Sequence, residues 1–366
     1  QDDTPPVDWR IVAPVLQRAL GRHRLRELEI DEQPMAAASL GQVHRAYRRK
    51  DGLALCIKIQ YPGVADAIES DIRTLSRLLI MTRLTPKGLD LTPVFNEVRE
   101  MLHREVDYES ERHFTETFAE RLKDDPRFVV PRVLGEYCSD QVLTTTFEHG
   151  HSVRQETVQT LPQARRNRLG HAFLELFLTE FFRWGMVQSD PHFGNYRIRV
   201  DEQGEDDRIV LLDFGATRIF GRGFVESYGD IVRGALSRDR DLILRGAKAI
   251  GLMQESFPRS VLDAFAQMCE LIVEPFNAAN DPRTPESLRN AKGEYRWGDS
   301  DLPMRVGRVA ALNALSIHFR VPPREIVFLH RRLAGVFIML ATLRCELSAR
   351  DTLLCALEES ARSSAE

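Results

Sequence analysis

The segment from Met186 to Gly215, MVQSDPHFGNYRIRVDEQGEDDRIVLLDFG, constrains the fold of this chain more than any other. Asn195 opens a short alternating run, the polar stretch Asp201 to Asp207 turns the chain, and Ile209 to Leu212 return it to Asp213. A hairpin brings its open ends together, so this spacing predicts Asn195 beside Asp213. A carboxylate next to an amide oxygen is the hard oxygen set that magnesium takes, with positions left over for water and phosphate. Asp190 stands five residues before Asn195.

In protein kinases a catalytic Asp, an Asn five positions later, a hairpin and an Asp-Phe-Gly triplet follow one another in this order. Asp190, Asn195 and Asp213-Phe214-Gly215 resemble that series. An Asp before Gly is usually a turn former and the triplet alone says little, so the ordered combination carries the reading. Phosphates also need a cation from another part of the fold. Lys58 in LCIKIQ resembles the strand lysine of kinases, although a Lys in an alternating strand is more often merely solvated. Its helical carboxylate partner is sought among Glu97, Glu100 and Glu105, and Glu105, close to Asp107, is the choice; carboxylates on an exposed helix are otherwise a solvated face. Asp190, Lys58 and Glu105 are thus the expected catalytic set, and Asn195 and Asp213 the expected metal ligands. Ahead of Lys58 the phosphate-covering turn within Met35 to His44 has alanine where kinases use glycine. Ala36, Ala37, Ala38 and Ser39 are expected at the nucleotide, where the extra methyl groups restrict backbone angles and close approach. Order along the chain places adenine against Val142 to Phe147, with Glu148 and His149 as hinge groups.

Around these motifs, residues 8–28 carry a helical apolar pattern that Gly21 can end. Residues 33–60 read as strands broken by the Lys50-Asp51-Gly52 turn, with Leu53, Leu55, Ile57 and Ile59 on one face and Lys58 on the other. Two helices are predicted over 64–84 and 92–122, strands near 128–134 and 141–147, and mostly helix beyond Gly150. A strand-rich part before a helix-rich part predicts an α+β, two-lobed fold: an N-lobe over 1–148 with a helical insertion, and a helical C-lobe over 149–366.

Composition narrows the function classes. With 50 basic and 54 acidic side chains in 366 residues, the net charge of −4 sets up no global field for nucleic acid or anionic lipid. Five scattered cysteines without a C-x-x-C pair fit a reducing compartment. The longest apolar run, Leu333 to Leu343, falls short of the ~20 residues that span a bilayer. The chain opens on Gln1 with no signal segment after it, which reads as a mature or trimmed chain.

AAASLGQVHRA, LCIKIQYPGV, REVDYESE, VQSDPHFGN and LLDFGATR together resemble the UbiB family of atypical kinases, over roughly residues 5 to 350. The stretch Val321-Pro322-Pro323 to Leu343 is similar to its mitochondrial and α-proteobacterial members tied to coenzyme Q. The resemblance implies a kinase-like fold binding ATP or ADP with magnesium, and ATPase or small-molecule or lipid kinase chemistry in support of ubiquinone biosynthesis. It also implies peripheral membrane contact, an isoprenoid lipid or quinone precursor as partner, and company with other quinone-biosynthesis proteins. The location implied is cytoplasmic or at the inner membrane of a bacterium, or the matrix side of a mitochondrion. The family's K-x-G-Q motif is absent from this sequence. An ordinary protein kinase is disfavoured because no Ala-Pro-Glu or Ser/Thr-rich activation segment follows Asp213. A catalytically silent nucleotide-binding scaffold is the alternative.

Overall fold

Alternation in the first half of the chain builds one sheet. The structure, a computed structural model, describes residues 6–37, 40–64, 67–74, 92–314 and 323–363. Two units divide the chain: Gln1–His149 with Val210–Ala216, and Gly150–Ile209 with Thr217–Glu366. The Asp-Phe-Gly segment therefore belongs to the first unit and the Asp190 loop to the second.

In the first unit, helix α1 (Trp9–Arg26) precedes strands β1 (Leu28–Ala37), β2 (Gly41–Arg48) and β3 (Leu53–Gln60). Gly21 takes φ +73 and interrupts the helical geometry as expected, yet the helix resumes and runs on to Arg26. Helices α2 (Thr92–Glu105) and α3 (Tyr108–Arg121), the short β4 (Phe128–Val129) and β5 (Val142–Thr146) follow. The sheet has the antiparallel order β1-β2-β3-β5. Its β2–β3 hairpin closes through Gly52 at φ +69, a backbone conformation that glycine adopts without a Cβ penalty. Leu55, Ile57 and Ile59 are fully buried and pack with Val12, Val15, Leu16 and Leu20 of α1. Each such side chain contributes roughly 1.5–3 kcal/mol relative to exposure. Lys58 and Gln60 alternate with that row and so stand on the opposite face of β3.

The predicted single helix over 92–122 is two helices, parted at Val106-Asp107. Asp107 caps the second, its side chain accepting from the Ser110 N–H at 2.9 Å. Of the helix expected over 64–84, residue 64 and residues 67–74 are described and helical; the remainder lies outside the described residues.

The second unit is mostly helical. Helices α4 (Glu156–Gln159) and α5 (Gln163–Leu178) lead into a π-helical stretch, Thr179–Arg183, that Gly185 ends at φ +58. Strand β6 (Met186–Gln188) pairs antiparallel with β9 (Thr217–Ile219). Between them, β7 (Tyr196–Arg199) and β8 (Arg208–Leu211) flank the polar turn where the sequence places two strands. Helices α6 (Arg222–Ser237), α7 (Arg240–Ala249), α8 (Arg259–Ile272) and α9 (Leu302–Ala314) come next. The predicted irregular stretch 276–305 holds 3-10 turns and β10 (Tyr295–Arg296), which pairs with β11 (Glu346–Leu347). Helix α10 (Arg324–Thr342) takes up most of the apolar run Leu333 to Leu343, and α11 (Arg350–Ser363) follows β11. No helix among the described residues is long and apolar enough to cross a membrane.

Candidate active site

Lys58 rises from the polar face of β3, half-buried, and meets a carboxylate from α3. Its Nζ donates to Glu111 Oε1 at 2.9 Å and Oε2 at 2.7 Å, and to Asp213 Oδ2 at 3.4 Å. The Tyr108 ring lies 5.1 Å from the ammonium, within cation–π range. Glu111, buried, is thus the helical partner of Lys58, and Glu105 is not: it is exposed at the end of α2, across the break at Val106. Gln60 fixes that joint, its Nε2 donating to the Val106 carbonyl and, at 3.1 Å, to that of Asp140. The signal for Glu111 was present in the sequence. Tyr108, Glu111, Thr115 and Phe118 are the buried residues of α3, and Glu111 is the charged member of that amphipathic stripe.

Charge at this cluster is strongly coupled. Burial would lower the Lys58 pKa, but the Asp213 and Glu111 carboxylates outweigh it and hold the ammonium well above its ordinary value. Burial and the neighbouring Asp213 push Glu111 up to about 7, against the pull of Lys58. The same helix also seats the Asp-Phe-Gly segment: Phe214 is fully buried with its ring 4.6 Å from that of Phe118. Asp213 Oδ1 accepts from the Gly215 N–H at 2.9 Å. A Cβ on Gly215 would come 3.2 Å from Glu111 Oε2 and 3.4 Å from Asp213 Oδ1, so a glycine leaves these carboxylates their room.

The alanine-rich segment is more regular than the sequence predicts. Ala36 and Ala37 are not turn residues: they pair with Val43 and Gln42 in the β1–β2 ladder. Ala38 and Ser39 lie outside the described residues. After β5, the Phe147 N–H donates to the Ala54 carbonyl at 2.9 Å, and Glu148 Oε1 accepts from Thr146 Oγ1 at 2.8 Å. His149 is exposed at the last position of the first unit's longer segment.

In the second unit the loop after β6 carries Asp190 and Asn195. Asn195 Nδ2 donates to Asp190 Oδ2 at 2.8 Å, which turns the amide oxygen away from that carboxylate. A residue that sequence reasoning missed holds the other oxygen: Arg331 Nη2 of α10 donates to Asp190 Oδ1 at 2.7 Å. Helix α10 sits directly on the loop. Gly335 packs so closely that a Cβ there would collide with Pro191 Cβ. Next to Arg331, Arg332 is buried, its Nη1 donating to Tyr196 Oη at 2.6 Å and its Nη2 lying 3.5 Å from Glu180 Oε1. Burial pushes Glu180 up to about 7, with Arg332 opposing. Nothing in the sequence alone tied a helix more than a hundred residues downstream to this loop.

A strand lysine held by a helical carboxylate beside an Asp-Phe-Gly aspartate defines a kinase-like protein, and comparisons agree. The model of the ABC1 atypical kinase-like domain matches residues 1–246. The mitochondrial atypical kinase COQ8B of Rattus norvegicus is 34% identical over 345 residues, 94% of this chain and 61% of that protein. The mitochondrial atypical kinase coq-8 of Caenorhabditis elegans is 34% identical over 318 residues, 87% of this chain and 40% of its own length. Rv3197 of Mycobacterium tuberculosis, solved in complex with erythromycin, matches with a TM-score of 0.69 at 25% identity, over 95% of this chain and 82% of that one. The chain belongs to the ABC1, or UbiB, family of atypical kinases and has its α+β kinase-like fold. It spans about half the length of the curated relatives it matches.

Proposed function

We propose that this domain binds ATP or ADP with magnesium and acts as an ATPase or a small-molecule or lipid kinase, and that it serves coenzyme Q biosynthesis. The observation that carries the reading is the Lys58–Glu111 ion pair at 2.7 Å with Asp213 3.4 Å from the same ammonium. In phosphoryl transfer such a lysine neutralises phosphate oxygens and such an aspartate holds the metal. The donor set fits magnesium, with the Asp213 carboxylate and the Asn195 amide oxygen as its protein ligands. When bound, the ion would neutralise charge on the transferring phosphoryl group. Asp190 would orient the nucleophile, and β5 with Glu148 and His149 would receive the adenine.

Domain organisation follows the same reading, with an N-lobe over residues 1–148 and a C-lobe over 149–366. Service to coenzyme Q is inferred from family membership, and it implies an isoprenoid lipid or quinone precursor met at a membrane surface. Two basic clusters are candidates for that contact: Arg45, Arg48, Arg49 and Lys50, where Arg48 pairs with Asp51 at 2.6 Å and Arg49 with Glu29 at 3.4 Å, and Arg22, Arg24 and Arg26, exposed on α1. The α1 cluster is the better candidate.

A second reading, a nucleotide-binding scaffold without turnover, is favoured by one observation. Both oxygens of Asp190 accept hydrogen bonds, from Arg331 and Asn195, so a nucleophile must compete with those donors for them. Phosphate release from ATP in magnesium, compared with Lys58→Met, separates the readings. Steady hydrolysis abolished by the substitution supports the enzyme; tight binding with no hydrolysis supports the scaffold.

A further inference from the structure

The loop that bears Asp190 is anchored from behind. Tyr196 is 4% exposed, and its hydroxyl lies 3.3 Å from both Gln188 Oε1 and the Asp190 carbonyl, either of which can accept its proton. Gln188 Oε1 in turn accepts from the Asp190 N–H at 3.1 Å. The Gln188 N–H donates to Glu180 in the π-helical stretch. Two ends of this short network thus meet the loop, one through the tyrosine and one through the glutamate. Arg332 joins them: at 1% exposure it donates to Tyr196 Oη at 2.6 Å, lies 3.5 Å from Glu180 Oε1, and has its guanidinium 4.7 Å from the centroid of the Phe173 ring.

A guanidinium is planar and carries its donors in a fixed fork, so it sets the separation of two acceptors more narrowly than a flexible ammonium can. Because Arg332 donates to Tyr196, the tyrosine's own proton is left for Gln188 or Asp190. The bond therefore has a direction, from helix α10 through Tyr196 into the backbone of the loop. A fully buried arginine is costly to desolvate, and here it is neither in contact with the Asp190 carboxylate nor exposed to a ligand. Packing alone would be met by an apolar side chain of similar volume.

We infer that Arg332 is a positioning residue, which acts through Tyr196 and Glu180 to hold the backbone of Asp190 in place for chemistry. This inference rests on the proposed nucleotide chemistry for its effect on turnover, while its effect on the loop stands apart from that reading. The arrangement assigns α10 two roles at one loop: Arg331 engages the Asp190 carboxylate directly, and Arg332 sets the frame from which that carboxylate projects.

The test uses the full chain with Tyr196→Phe, which removes one hydroxyl and leaves the Arg332–Glu180 pair in place, and with Arg332→Lys and Arg332→Met. Hydrogen exchange of peptides covering residues 186–199 is read alongside steady-state ATP hydrolysis. Tyr196→Phe should speed exchange of the loop amides on the order of tenfold, with the amides of α6 unchanged. It should lower kcat by about tenfold or more while KM for ATP moves by less than about twofold. Arg332→Lys should recover part of what Arg332→Met loses in both readouts. Wild-type exchange at the loop in Tyr196→Phe and Arg332→Met would overturn the inference, as would faster exchange with an unchanged kcat. If the wild-type protein hydrolyses no ATP, the proposed activity fails and the loop exchange alone decides the positioning role.

Discussion

The carboxylate that meets Lys58 decides how its ammonium is held. Glu111 is buried and bonded to the ammonium through both oxygens, while Glu105 is exposed. Glu111→Gln should cost about 1–3 kcal/mol of stability and weaken ATP binding, because it leaves a half-buried ammonium short of one counter-charge. Glu105→Gln should weaken ATP binding far less. Equal thermal midpoints and nucleotide affinities for the two variants would remove the assignment. A second residue sets an acid limit. His330 of α10 is pushed by burial down to about 4, and its Nε2 lies 3.1 Å from the Tyr228 hydroxyl. Between that value and the ordinary 6.5, the unfolded chain binds the proton and the native state does not, so stability rises with pH across the window and is lost as pH falls through it. The loss amounts to at most about 3 kcal/mol. Urea midpoints followed from pH 7 to 4.5 should fall less steeply in His330→Gln; parallel curves would contradict this. Lys58, Asp190, Asn195 and Asp213 stand out because each sits in a short motif of fixed spacing, and the structure brings Lys58 to Asp213 and Asn195 to Asp190. Glu111 does not stand out when residues 92–122 form one helix, because the buried stripe begins only at Tyr108.

Elements were legible where their pattern is local. The alternation over Leu53 to Gln60 placed Lys58 opposite the aliphatic row, and the Asp-Gly pair placed the hairpin. The alanine-rich segment was read as a turn because kinases have glycine there; alanine tolerates extended backbone well enough that Ala36 and Ala37 simply continue β1. Helix α10 was legible as an apolar helix, but its seat on the Asp190 loop was not, since long-range packing leaves no periodic trace. That seat depends on a glycine. Gly335→Ala would set a methyl carbon against Pro191 and so push helix and loop apart, at a cost of about 1–3 kcal/mol of overpacking. Chemical denaturation should register that loss together with faster exchange at residues 189–195. A variant as stable as wild type with an unaltered loop would mean that α10 does not template it.

Over the whole molecule, composition excluded much and specified little: a net charge of −4 gives no reason to expect nucleic acid, and ordinary hydrophobic content fits many folds. Fold and family came from the order of motifs along the chain, because that order repeats the order in which a kinase-like fold delivers its site. The acceptor in the proposed chemistry left no such mark, since a water, a head group or a phenol would ask the same of Asp190. The proposal with the most at stake is that Asp213 and Asn195 are ligands of a nucleotide-bound magnesium. Calorimetric titration of ADP and of a non-hydrolysable ATP analogue into wild type, Asp213→Asn and Asn195→Ala, each in magnesium and in EDTA, tests it most directly. Both substitutions should weaken binding by about tenfold or more in magnesium and by little in EDTA. Affinities that match wild type under both conditions would contradict it.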